Sequence, residues 1–142
     1  MVESSAGTRV EKPWGYEVRW AVTDLYLGKI LHIHAGEALS LQYHEHKDES
    51  MLLVSGLLDL ELEDEAGQMR VHRLRPGDAV RIPPGRRHRP LAIEECEIFE
   101  VSTPHGDDVV RLDDRYGRVS RPQEPAGREP ADREPADKIG GK

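Results

Sequence analysis

The sequence has a single cysteine, Cys96, so it cannot form a disulfide bond within the chain. Aromatic residues account for only 5% of the 142 residues. No apolar run approaches the roughly 18 residues of a membrane-spanning helix, and the opening residues MVESSAGTRVEKP lack the apolar segment of a secretory signal. These absences argue against a disulfide-stabilised fold and a helical membrane protein, and we expect a cytoplasmic location.

The basic residues also form no extended cluster in the sequence. The formal net charge is -7, and the one short basic cluster consists of Arg86, Arg87 and Arg89 beside His88. Proteins that bind nucleic acid usually present a broad basic patch or stripe. We therefore expect neither a nucleic acid nor a membrane as partner. The short cluster is typical of a solvated loop, although at the rim of a pocket it could attract an anionic substrate.

Short stretches of alternating apolar and polar residues, separated by glycine and proline turns, run through most of the sequence. In Leu58–Glu63 three leucines alternate with three acidic residues, a pattern typical of a half-buried strand. No long amphipathic helix is evident, so the pattern predicts an all-β sandwich or barrel in one domain. After a first strand within Lys12–Trp20, the predicted strands are Leu25–His34, Ser50–Val54, Leu57–Leu62, Met69–Leu74, Ala79–Ile82, His88–Ile93 and Cys96–Ser102.

The composition divides the chain into three parts. Residues 1–11 are polar and are predicted to be a flexible N-terminus, whereas residues 12–118 carry the strand patterns and form the predicted domain. Residues 119–142 contain the pentapeptide REPAD twice and almost no apolar side chains. Because such a segment buries too little surface to offset the entropy lost on ordering, we expect the tail to be disordered.

The segment Gly36–Gly56, GEALSLQYHEHKDESMLLVSG, has the composition of a metal site. In an extended strand Gln42, His44 and His46 lie on one face. Glu49 follows a polar turn, where the chain can fold back and deliver a carboxylate to the same place. An amide oxygen, an imidazole and a carboxylate together suit a divalent first-row metal.

A second glycine-bounded segment, GDAVRIPPGRRH, ends at His88 and supplies a further histidine. In this order and spacing the two segments resemble the paired motifs of the cupin superfamily, with Gln42 in place of the first histidine. The resemblance implies a double-sheet jelly-roll barrel. It also implies one divalent metal ion as cofactor, with zinc the leading candidate and manganese, iron, cobalt and nickel as alternatives. The implied ligands are Gln42, His44, Glu49 and His88.

The remaining histidines are weaker candidates for ligands. His46 shares the face of His44 but lies at the predicted strand end, so it is either a pocket residue or a surface residue. In a competing register His44 and His46 bind the metal and Gln42 is a bystander. Four others have no partner at ligand spacing and are expected to be solvated or locally hydrogen-bonded: His32, His34, His72 and His105.

Four segments give a closer resemblance, to the cupin domain of type II mannose-6-phosphate isomerases. They are KPWGYE, LSLQYHEHKDE, IPPGRRHR and DDVVRLDDRYGR, and they span residues 12–118. Lys29 matches a family lysine ahead of the first motif. The chain departs from the family where it reads HEHKDESM for HHHRAEHW, and where FEVS replaces IEVQ but keeps Glu100. These residues contain no counterpart of the nucleotidyltransferase domain that bifunctional members carry ahead of the cupin.

This resemblance implies a small-molecule substrate, a phosphorylated sugar, and aldose–ketose isomerisation as in mannose-6-phosphate isomerase. The candidate catalytic residues are Lys29 and Glu100 for proton transfer, with His46 as a third option, and Arg111 for the phosphate. Arg118 would suit the same role, unless nearby aspartates pair with both arginines. The alternatives are a non-catalytic metal- or sugar-binding cupin and an iron-dependent dioxygenase, against which Gln42 argues.

The resemblance also implies a homodimer that pairs through the N-terminal strands. Trp14, Tyr16 and Trp20 supply aromatic anchors of the kind enriched at interfaces. The same three residues could instead cover the barrel of a monomer.

Overall fold

The structure, a computed structural model, describes residues 7–120, and within that range all regular structure is β-strand. Eleven strands follow in order: β1 (Thr8–Lys12), β2 (Gly15–Val22), β3 (Leu27–Ile33), β4 (Leu41–Tyr43), β5 (Glu49–Ser55), β6 (Leu58–Glu63), β7 (Met69–Leu74), β8 (Ala79–Ile82), β9 (His88–Ala92), β10 (Cys96–Ser102) and β11 (Val110–Asp113). Residues 7–120 include no helix that could cross a membrane.

The strands form two antiparallel sheets that pack face to face. One sheet has the order β1-β2-β3-β10-β5-β8, and the other β11-β4-β9-β6-β7. Chain neighbours such as β3 and β4, or β9 and β10, lie in different sheets, so the chain crosses repeatedly between the two layers. This arrangement confirms the predicted all-β, single-domain jelly roll. The bounds of β7, β8 and β10 match the predicted strands, whereas β11 was not predicted.

Two local predictions were wrong. Strand β1 begins at Thr8, inside the segment predicted to be flexible, because its backbone pairs with β2 from Thr8↔Arg19 to Lys12↔Gly15. A polar edge strand needs little apolar burial when a neighbouring strand satisfies its backbone. The extended strand predicted through His46 instead ends at Tyr43. The rest of the predicted tail, residues 121–142, and residues 1–6 lie outside the described residues.

The interior has an apolar end and a polar end. Leu31 and Ile33 of β3 pack with one residue from each of three further strands, Leu53, Leu58 and Ile98, and form the apolar cluster that joins the two sheets. Farther along the same strands the buried side chains become polar and charged. Charged groups without water are costly unless they are paired or bind an ion. The polar end is therefore where the fold places its chemistry.

The turn after β5 requires a glycine. Gly56 has a φ of 97°, and a Cβ built on it would lie 2.2 Å from the Glu95 carbonyl oxygen. Only glycine tolerates both the positive φ and the close approach of another backbone. This explains why the first motif ends at this residue.

Candidate metal centre and cavity

Three buried side chains meet between the two sheets at the polar end. His44 follows β4, Glu49 begins β5, and His88 begins β9. The Glu49 Oε2 atom lies 2.9 Å from His44 Nε2 and 3.3 Å from His88 Nε2. These are three of the four predicted metal ligands, and their donor atoms all lie within 4.8 Å of one another.

The outer nitrogens of both imidazoles are already engaged. His44 Nδ1 donates to the Asp108 carbonyl oxygen at 2.5 Å, and His88 Nδ1 donates to the Arg86 carbonyl oxygen at 2.9 Å. A carbonyl can only accept, so each neutral ring carries its proton on Nδ1 and presents a lone pair at Nε2. Backbone partners of this kind commonly fix the tautomer of metal-binding histidines.

The donor set fits a divalent metal ion. Two Nε2 lone pairs and a carboxylate oxygen, all hydrogen-bond acceptors, converge on one point, and only a cation or extra protons can satisfy them together. Ligands about 2.0–2.1 Å from an ion in tetrahedral or octahedral geometry lie about 2.8–3.4 Å apart. The observed 2.9 and 3.3 Å separations agree with that spacing. Burial alone would raise the pKa of Glu49, but His44, His88 and Lys47 hold it well below its usual value.

Gln42 and His46 take different positions. Gln42 lies opposite His88 in the β4–β9 pairing and lines the same cavity. Its Nε2 donates to Ser40 Oγ at 3.0 Å, so its amide oxygen remains available as a donor to a metal. His46 is exposed, and its ring lies 6.0 Å from that of His105. The structure thus places Gln42, and not His46, beside the three converging side chains.

A cavity of about 310 Å³ opens over the cluster. This volume is at the small end of the range for ligand pockets, about 300–1,000 Å³. The three predicted catalytic residues all line it: Lys29, Glu100 and Arg111. Lys29 faces Glu100 across β3 and β10, and Arg111 faces Gln42 across β11 and β4. Strand pairing therefore brings both groups of predicted residues around one space.

Lys47 is a buried cavity residue that the sequence reasoning missed. Its Nζ lies 2.9 Å from Glu100 Oε2 and 3.7 Å from Glu49 Oε1. Burial lowers the pKa of Lys47, but the charges of Glu100 and Glu49 outweigh burial and raise this pKa above its usual value. Burial and the charge of Glu49 raise the pKa of Glu100. The one available signal was that Lys47 replaces an arginine of the family segment HHHRAEHW.

Lys29 is held by a second buried carboxylate that the sequence reasoning also missed. The Glu17 Oε2 atom lies 3.7 Å from Lys29 Nζ and accepts a 2.6 Å hydrogen bond from Arg19 Nε. Burial would raise the pKa of Glu17, but Lys29 and Arg19 lower it below its usual value. Lys29 is therefore a paired, buried cation at the cavity wall.

Two cations at the cavity have no acidic partner among residues 7–120. Arg118 makes two 2.9 Å hydrogen bonds to the buried Asp114, so it is one of the arginines that an aspartate neutralises. Arg111 and Lys12 form no ion pair within the described range. Burial lowers the pKa of both side chains. An anionic group that enters the cavity would find these two cations without an ion-pair partner among residues 7–120.

Asp108 fixes the loop that carries His44. Its carboxylate accepts hydrogen bonds from the backbone nitrogens of Glu45, His46 and Lys47 at 3.0, 2.6 and 2.9 Å. The carbonyl oxygen of the same residue receives the His44 Nδ1 proton. The segment DDVVRLDDRYGR thus contributes to the site by holding the ligand loop in place.

Replacing Asp108 with alanine should destabilise the metal-free chain. Three amides would lose a charged acceptor, and we expect a loss of about 2–4 kcal/mol in the free energy of unfolding. Urea unfolding in the presence of a chelator measures this loss. Asp107→Ala is the matched control, since this neighbouring side chain is exposed and should change stability by less than about 0.5 kcal/mol. Equal midpoints for the two variants would contradict the role given to Asp108.

A jelly roll that gathers histidines and a carboxylate at the polar end of its interior defines a class of small β-barrel proteins built around a metal site. The sequence profile described as "Cupin domain" matches residues 29–102. The chain belongs to this family, which confirms the prediction from the paired motifs.

Sequence relatives and solved structures agree with that assignment. Mannose-1-phosphate guanylyltransferase ManC of Salmonella typhimurium is 31% identical over 115 residues, covering 78% of this chain and 23% of the relative. Xanthan biosynthesis protein XanB of Xanthomonas campestris pv. campestris is 31% identical over 122 residues, covering 82% of this chain and 25% of the relative. The chain thus spans about a quarter of the length of these curated relatives.

Two solved structures illustrate the shared fold. KdgF from Halomonas sp. is 25% identical with a TM-score of 0.61, covering 70% of this chain and 90% of that one. Oxalate decarboxylase from Bacillus subtilis is 18% identical with a TM-score of 0.66, covering 84% of this chain and 35% of that one.

Proposed function

We propose that this chain is a metal-dependent isomerase that interconverts an aldose phosphate and a ketose phosphate, as mannose-6-phosphate isomerase does. One observation carries the proposal. A single cavity combines a cluster fit for a metal, a buried carboxylate paired with a lysine, and two cations that have no acidic partner within residues 7–120. ManC and several other relatives are named mannose-1-phosphate guanylyltransferases, which supports a phosphorylated mannose as the substrate class.

The proposed metal ligands are Gln42, His44, Glu49 and His88, with zinc as the leading candidate. With one carboxylate among the four, a divalent ion keeps a net charge near +1. The bound ion would supply Lewis-acid polarisation of a sugar carbonyl or hydroxyl oxygen. The protein holds the two imidazoles ready through the carbonyl oxygens of Asp108 and Arg86.

Glu100 is the proposed group that moves a proton between C1 and C2 of the sugar. It is buried at the cavity and has a raised pKa, as is common for general bases. Lys47 holds its carboxylate at 2.9 Å, and Lys29 lies opposite it across the strand pair. Both lysines can stabilise negative charge that develops on the sugar oxygens during the transfer.

Arg111, with Lys12, is the proposed phosphate-binding group. A guanidinium can make two parallel hydrogen bonds to phosphate oxygens. Because neither cation has an acidic partner among the described residues, a phosphate would not have to displace one.

Replacing Arg111 with alanine should raise the KM for mannose 6-phosphate about 10- to 100-fold, with a smaller change in kcat. The lost charged hydrogen bonds are worth about 1.5–3 kcal/mol. A coupled assay that follows fructose 6-phosphate gives both constants. Arg70→Ala is the control, because Arg70 is exposed and pairs with Asp64 far from the cavity. An unchanged KM in the Arg111 variant would rule out this phosphate site.

A non-catalytic sugar-binding cupin is the second candidate. It is favoured by departures from the isomerase family at Met51 and Ser102, where the family has tryptophan and glutamine, while the proposed ligands are retained. Met51 lines the cavity, so its smaller side chain changes the space beside the cluster. A rise in Tm with mannose 6-phosphate, without turnover under any metal, would favour binding over catalysis.

We also propose that the chain forms a homodimer and acts in the cytoplasm. Trp14 is buried in its own core, and the Tyr16 ring stacks on His32, so of the three aromatic anchors Trp20 is the one left exposed. Phe99 and Val101 of β10 are also exposed on the six-stranded sheet. Burying such a patch against a second copy would remove it from water. Light scattering should give twice the 16.0 kDa chain mass, and 16.0 kDa at micromolar concentration would contradict the dimer.

A further inference from the structure

A second group of metal-ligating side chains lies outside the cavity, on the outer side of the six-stranded sheet. His32 is in β3, His34 follows it, and Glu95 immediately precedes β10. Along β3, His32 alternates with Leu31 and Ile33, which are buried in the core. The group, which we call the surface histidine cluster, is therefore separated from the interior metal centre by the sheet.

The surface histidine cluster gathers the same kinds of donor atom as the interior one, but its His32–Glu95 pair is a hydrogen bond and must lengthen when both atoms bind one metal ion. Glu95 Oε2 lies 2.5 Å from His32 Nε2 and 3.4 Å from His34 Nδ1, and the three donor atoms lie within 4.8 Å of one another. The sequence offers His32 and His34 no partner at ligand spacing, because Glu95 is distant along the chain and comes close only through the β3–β10 pairing.

Two further neighbours, Glu97 and Tyr16, hold the His32 ring. Its Nδ1 lies 3.0 Å from Glu97 Oε2, a carboxylate directly opposite it in the β10–β3 pairing. Tyr16 stacks on the ring with centroids 4.8 Å apart and planes 5° from parallel. The Arg9 guanidinium covers the Tyr16 ring at 3.7 Å. A carboxylate on the far nitrogen is the usual support of a metal-binding histidine, since it fixes the tautomer and makes the other nitrogen a better donor.

We infer that His32, His34 and Glu95 form a second binding site for a divalent first-row metal ion. Two imidazole nitrogens and one carboxylate oxygen match the preferences of zinc, cobalt, nickel and copper over those of magnesium or calcium. On binding, the ion takes the place of any proton on His32 Nε2, while Glu97 keeps the proton on Nδ1. His34 and Glu95 are exposed, so water or a donor from another molecule completes the coordination.

Zinc stoichiometry of the full chain tests the inference. After removal of metal with a chelator, equilibrium dialysis against Zn²⁺ should load two equivalents on the wild type. His34→Ala and Glu95→Gln should each weaken one of the two sites at least about tenfold, since each removes one of three protein ligands. His34 is chosen because its loss leaves the Tyr16–His32 stack intact. His72→Ala is the matched control, an exposed histidine of β7 outside the cluster, and should still bind two.

A Glu49→Gln background separates this site from the interior one. That variant should bind one Zn²⁺ at the surface histidine cluster, and adding Glu95→Gln should weaken this remaining site at least about tenfold. The inference is overturned if the Glu49 variant binds no zinc, or if either His34→Ala or Glu95→Gln leaves both affinities unchanged. Because this readout is metal content at the surface, it does not depend on isomerase activity.

Discussion

Replacing Glu49 with glutamine is expected to weaken metal binding at the interior centre by at least about 100-fold. Glu49 is the one anionic group among the proposed ligands, and its Oε2 lies within 3.3 Å of both histidine nitrogens. An amide has nearly the same volume, so packing is preserved while the charge that attracts the cation is lost. Dialysis followed by elemental analysis measures the loss as one equivalent of metal per chain.

Two further variants identify the other ligands. His46→Ala should keep the interior metal, because His46 is exposed and lies outside the converging group. Gln42→His should also keep the metal and bind it at least as tightly, since imidazole is the stronger donor. If His46→Ala emptied the centre while Gln42→Ala did not, the register with His44 and His46 as ligands would replace the proposed one.

Replacing Glu100 with glutamine is expected to lower kcat about 10²- to 10⁴-fold while metal content stays at the wild-type level. This is the range that general acid–base catalysis contributes. The Glu100 carboxylate is not among the converging metal donors, and its contact with Lys47 at 2.9 Å can be kept by the amide oxygen of glutamine. The variant therefore removes a proton carrier without emptying the centre.

A fall in kcat without a loss of metal distinguishes a proton carrier from a residue that only supports the metal centre. Glu94→Gln, an exposed carboxylate in the turn before β10, is the control and should leave both quantities unchanged. A Glu100 variant that retains more than half of the wild-type kcat would exclude Glu100 as the proton carrier. A variant that loses metal in parallel with activity would assign it a supporting role at the centre instead.

The residues that the sequence could identify are those whose partners are close along the chain or belong to the paired motifs. His44 and Glu49 are separated by a short turn, so their convergence follows from a hairpin. His88 was placed by its glycine-bounded segment. Alternating leucines and glycine turns were sufficient to predict most of the strands, because half-buried strands need that period. The edge strand β1 was not predicted, because backbone pairing with β2, and not apolar burial, holds it in place.

The contacts that escaped prediction join distant parts of the chain. The sequence around Lys47 indicates a surface turn, but in the structure β10 brings Glu100 beside this lysine. In the sequence Asp108 is one of several acidic loop residues. In the structure its carboxylate accepts hydrogen bonds from three backbone amides of the loop after His44. Only the strand order brings these groups together, and no spacing within either segment encodes it.

The most direct test of the proposed function is a coupled assay of mannose 6-phosphate and fructose 6-phosphate interconversion by the metal-loaded chain. Zinc, manganese, cobalt and nickel are each supplied, and Glu49→Gln protein with the same metals gives the background. The proposed isomerase predicts turnover well above this background with at least one metal, and its loss in the Glu49 variant. Equal rates for the wild type, the variant and metal alone, on these and other sugar phosphates, would contradict it.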